Sequence, residues 1–120
     1  MESVYEQDRV CDEEAPPGCT DVPTEVLDEE TAARLAATFS VLSDPTRVRM
    51  ISALAGRALC VHELAEALGM TQSAASHQLA TLRDMRLVTN QRAGRHVYYE
   101  LDDDHIYDLF CQGLAHIRHA

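Results

Sequence analysis

The chain has 120 residues, no tryptophan, 5% aromatic residues and a formal net charge of −10. That length fits one domain with a modest, mainly aliphatic core. Apolar runs all fall short of the roughly 18 residues a membrane-spanning helix needs, and no signal-peptide pattern opens the chain. A cytoplasmic protein is expected, with Cys11, Cys19, Cys60 and Cys111 as thiols.

Residues 1–26 mix acids with Pro16, Pro17, Gly18 and Pro23 and show no apolar period. They read as a flexible acidic arm carrying Cys11 and Cys19, ahead of a folded domain at 27–120. The charge is unevenly spread. Residues 1–30 hold eleven acids against one Arg, whereas residues 31–100 hold five acids against eight Arg. The acidic total therefore does not exclude nucleic acid, because the middle of the chain is basic. Its cations are all arginines, suited to bidentate contacts with phosphate and guanine.

A first helix is expected from Leu27 to Leu42, with Asp28 as cap and Ala32, Leu35, Phe39 and Leu42 at helical spacing. Ser43-Asp44-Pro45 restarts the chain as a second helix, which points Val48, Ile51 and Leu54 inward and stops at Gly56. A third helix runs from about Val61 to Leu68 and ends at Gly69. A fourth opens at Thr71 or Ser73 and continues to about Met85. The third and fourth form a helix-turn-helix, with Ala65 at the close crossing and Gly69 at a turn that needs positive φ.

The fourth helix offers Thr71, Gln72, Ser73, Ser76, His77 and Gln78, short or amide side chains suited to base edges and phosphates. The period then changes. Leu87–Arg92 and His96–Leu101 are β-branched and Tyr-rich, with Ala93-Gly94 between them, and form a short hairpin. Arg92 and Arg95 flank its tip and make a basic wing. The expected fold is mainly α with a small β-hairpin, a winged helix-turn-helix whose partner is operator double-stranded DNA. No open metal position with a nearby acid or base suggests an enzyme.

The last helix starts near Asp102 or Asp103 and carries His105, His116 and His119. Eleven residues separate His105 from His116, which returns them to within about 20° of one face but leaves a rise of roughly 16 Å. A zinc–nitrogen bond is only about 2 Å, so one straight helix cannot bring both ends to one ion. Two antiparallel copies across a twofold axis can. Asp103 and His105 of one protomer would then meet His116 and His119 of the other, making two sites in a homodimer. Three imidazoles and a carboxylate suit zinc or cobalt.

The segments LSDPTRVRMISAL, LCVHELAEALGMTQSAASHQLATLRDMRLV, GRHVYYEL and DDDHIYDLFCQGLAHIRH, in that order, resemble the ArsR/SmtB family of winged-helix repressors. The resemblance spans about residues 28–119. It implies a homodimer that binds its operator without metal and releases it when metal binds. It also implies metal ligands at Asp103, His105, His116 and His119 between paired last helices, with zinc the expected ion. A second set is implied at the start of the third helix: Cys60 with Cys11 and Cys19 from the partner's arm. Relatives that sense cadmium have Cys-Val-Cys where this chain has Cys60-Val61-His62. His62 replaces the missing thiolate, or Glu63 supplies an oxygen. Thiolates with one imidazole suit cadmium, lead or zinc. The competing readings are a thiol-based redox or reactive-sulfur sensor on the same fold, with Cys11, Cys19 or Cys60 forming a disulfide, and a metal buffer.

Overall fold

A computed structural model describes residues 25–119. The arm residues Cys11 and Cys19 lie outside the described residues. The element order is α1 (Glu29–Val41), α2 (Pro45–Gly56), β1 (Leu59–Cys60), α3 (Val61–Leu68), α4 (Gln72–Asp84), β2 (Val88–Ala93), β3 (His96–Leu101) and α5 (Asp104–Arg118).

Four helices begin where a side-chain oxygen can take an orphan backbone N–H. Asp28 accepts from Thr31 at 3.0 Å, Asp44 from Arg47 at 3.0 Å, Thr71 from Ala74 at 3.0 Å and Asp103 from Ile106 at 3.2 Å. Such a cap is worth about 1 kcal/mol. Pro45 follows its cap at the first helical position, where a missing N–H costs nothing. Gly69 ends α3 in the left-handed region, φ +68°, and the Met70 N–H returns to the Ala65 carbonyl at 3.0 Å. That closure turns the chain at once into α4.

The core lies where α2, α3, α4 and the sheet converge. Met50, Leu54, Leu64, Leu79 and Leu82 are fully buried, with Leu87 and Val88 beside them. Each such side chain contributes about 1.5–3 kcal/mol by burial. Among the described residues no polar or charged side chain is buried. The apolar anchors of α4 are Ala75, Leu79 and Leu82, at helical spacing, so its opposite face is held outward.

The hairpin expected from sequence is the larger part of a three-stranded antiparallel sheet in the order β1-β3-β2. Leu59 and Cys60 pair with Tyr99 and Tyr98. The hairpin turn is Gly94-Arg95, one residue later than its apolar pattern suggested, because Ala93 still pairs with His96. Gly94 has φ +65°, the conformation a two-residue turn asks of its first central residue.

One expectation about packing needs correction, and one apolar stripe stays uncovered. The apolar stripe of α1 does not bury itself on its own chain: α1 has no buried residue, and Leu35 and Phe39 are exposed. Val48, expected inward, is also 40% exposed. These residues flank or line a groove of about 340 Å³ with walls from α1, α2 and α5, including Phe39, Leu42, Val48, Ile106, Phe110 and Ile117. The stripe faces outward across this groove, which one chain leaves open. Cys111 is buried in α5 and disulfide-bonded, so the expectation of a thiol fails there; its bonding partner lies outside the described residues.

Candidate DNA-reading surface and metal-binding residues

α4 presents Ser73 and His77 on the face opposite its apolar anchors and Gln72 and Ser76 on its flanks, all exposed, with Thr71 at the cap. Gln78 differs. It is half-buried, and its side-chain carbonyl accepts from Arg47 Nε of α2 at 2.9 Å. Sequence spacing placed Gln78 with the base readers and gave no sign of this partner 31 residues away. Gln72, the first residue of α4, is within 3.0 Å of His62 Nδ1 through its amide nitrogen. Donation by that amide leaves the His62 proton on Nε2, which sits 3.3 Å from Glu66 Oε2.

The wing tip, Arg92 to Arg95, is fully on the surface. The β2–β3 register sets Arg92 opposite Val97 and carries Arg95 in the turn itself. The exposed side chains of α4 are polar and the wing tip is cationic, donor types that suit base edges and flanking phosphates.

The proposed metal ligands fall into separate groups within one chain. Asp103 divides its carboxylate: Oδ1 caps α5, and Oδ2 lies 3.5 Å from His105 Nδ1. His116 and His119 lie at the other end, in the last turn and at the C-cap of the same unbroken helix. All four are on the surface. Among the described residues of a single chain, no three His, Cys, Asp or Glu side chains gather closely enough to hold an ion. The donor types nevertheless fit zinc: imidazoles and a carboxylate with one oxygen turned away from the cap.

Cys60 is half-buried, a free thiol at the N-cap of α3. His62 points along α3 toward Gln72 and Glu66 rather than toward Cys60. Glu63, the alternative oxygen donor, turns back and accepts the Cys60 backbone N–H at 3.1 Å. That bond holds the Glu63 carboxyl below the usual carboxylate range. Arg57 stands 3.9 Å from its other oxygen. Glu63 is therefore occupied with its own helix terminus, and both ring nitrogens of His62 have partners in Gln72 and Glu66, which leaves Cys60 as the free donor at the start of α3.

The family described as "Bacterial regulatory protein, arsR family" matches residues 44–90, which span α2 to β2. The transcriptional repressor SmtB homolog of Synechocystis is 44% identical over 99 residues, 82% of this chain and 75% of that protein. The solution structure of apo-NmtR is similar with a TM-score of 0.70 at 42% identity, covering 82% of each chain. NmtR is a Mycobacterium tuberculosis transcriptional regulator. The homodimeric winged helix-turn-helix DNA-binding domain of a Mycobacterium bovis protein is similar with a TM-score of 0.69 at 27% identity, covering 82% of this chain and 96% of that one.

Proposed function

The chain belongs to the ArsR/SmtB family of bacterial regulatory proteins, and from that premise we propose that it is a homodimeric transcriptional repressor released from its operator by metal. The observation that carries the reading is the division of labour along α5. One face of this helix forms a wall of the open apolar groove, and its two ends carry Asp103–His105 and His116–His119. Pairing two grooves by a twofold operation buries the exposed apolar residues. The same operation sets α5 against α5, which is what the divided donors require.

DNA binding rests on α4 and the wing. Thr71, Gln72, Ser73, Ser76 and His77 face the duplex, with Arg92 and Arg95 on its flanks. Gln78 acts at the edge of this surface. Zinc is the ion assigned to Asp103, His105, His116 and His119. In the reduced protein, Cys60 and His62 with Cys11 and Cys19 of the arm form a second set for cadmium, lead or zinc. Metal and operator favour different arrangements of the two protomers. Each therefore lowers the other's affinity by the same factor.

Mixed dimers test the α5 site. His105→Ala chains are combined with His116→Ala chains, and zinc binding is measured with operator affinity. If ligands come from both protomers, the mixed dimer keeps one intact site and lacks both histidines at the other. No intact site in the mixed dimer would overturn the cross-subunit assignment. No effect of zinc, cadmium or lead on operator affinity in the reduced wild type would overturn the metal reading.

A further inference from the structure

Arg47 lies in the first turn of α2, and its side chain joins two other helices. Its Nε donates to the Gln78 carbonyl on α4 at 2.9 Å, and its Nη1 reaches the Val41 carbonyl, in the last turn of α1, at 3.4 Å. The backbone N–H of the same residue is fixed by Asp44. A guanidinium is planar and rigid, so two donors on one fork set a distance as well as a bond. The Val41 carbonyl is one of the orphan acceptors at a helix end, and α1 has no buried residue to hold it in place. Phe39 and Leu42, on either side of Val41, line the apolar groove. Movement of that face therefore reaches the DNA-reading helix through one side chain.

We propose that Arg47 is a positioning residue for operator recognition: it sets α4 against α1 through Gln78 and Val41, without touching DNA itself. The inference rests on α4 being the operator-reading helix. It does not depend on which metal, if any, the protein senses. A lysine keeps the charge but carries its three donors on one nitrogen at the end of a flexible stem, so it cannot hold two separated acceptors in fixed relation.

The test uses the full-length apo-dimer and a duplex that the wild type itself selects from a random-sequence pool, with mixed-sequence duplex as the non-specific reference. Arg47→Lys, Gln78→Ala and their double variant are compared. The expected result is a loss of selectivity of about tenfold, selected over mixed sequence, in each single variant. The double variant loses no more than either single, because both remove the same tie. Salt dependence and dimerisation stay at wild-type values, and thermal stability falls by no more than the loss of one hydrogen bond accounts for. Arg47→Ala serves as a third variant, since it removes the fork and the charge together. A salt slope lower by about one per protomer, with lysine restoring affinity, would mean that Arg47 contacts phosphate and would overturn the proposal. Additive losses in the double variant would overturn it too. Equal selectivity in all forms would leave α4 as the reading helix and refute only the role of Arg47. A wild type that selects no duplex would refute both.

Discussion

Replacing Arg92 and Arg95 with Ala measures directly whether the wing reaches the duplex. Both side chains are exposed, and the β2–β3 register and the Gly94 turn do not depend on them. Folding should therefore be unchanged, and the loss should be electrostatic. A dimer carries two wings, so the double substitution removes four cations. Each phosphate neutralised on B-DNA contributes about 0.9 to the slope of log affinity against log salt. If all four reach phosphates, the slope becomes shallower by about 3.6. Between about 50 and 200 mM salt the wild type would then lose roughly 150-fold more affinity than the variant does. Fluorescence anisotropy on a selected duplex across that salt range reads the slope, with circular dichroism as the folding control. An unchanged slope in a folded variant would remove the wing from the interface and refute the two-part reading surface.

Gly69→Ala should destabilise the fold by about 1 kcal/mol, read by thermal unfolding. Its φ of +68° strains any Cβ although the space around it is open; full stability in that variant would show that the turn relaxes. Arg86 stands at φ +59° between α4 and β2, so Arg86→Gly should leave stability unchanged or raise it by up to about 1 kcal/mol, and a clear loss in urea titration would mean that the arginine makes a compensating contact. The Asp28 carboxyl is held below its ordinary range by the Thr31 backbone N–H. Its contribution is present above the unfolded carboxylate range and is lost as pH falls through the depressed folded value. In Asp28→Asn the acid limb of the stability curve should be flatter, and parallel curves for the two proteins would refute the cap.

Much of the fold was legible because its signals are local. Asp28, Asp44 and Thr71 announce three helices, and Gly69 announces the sharp turn, each within about four residues of the group it serves. What escaped depends on distance or on a second chain. Strand β1 has two residues and no period of its own; it exists because Tyr98 and Tyr99, far along the chain, offer it partners. The apolar stripe of α1 was visible, but not that it would remain uncovered in one chain. At the candidate site, the residue types of α4 and α5 were readable from spacing. The bond from Arg47 to Gln78 and the pairing of His62 with Gln72 were not, because helix packing brings those atoms together.

The edges of the small sheet bear on how copies of this molecule meet. A sheet edge is a template on which a neighbouring backbone can add itself, and repeated addition has no natural end. One edge here is β1, only two residues long. The other is β2, whose outer half, Gln91, Arg92 and Ala93, is exposed and carries a charge. The better-shielded strand β3 lies between them. Neither border invites a ladder. Self-association is thereby directed to the helical face, where a twofold match consumes the surface that made it. A pairing of that kind closes on itself, whereas growth along a sheet edge would not.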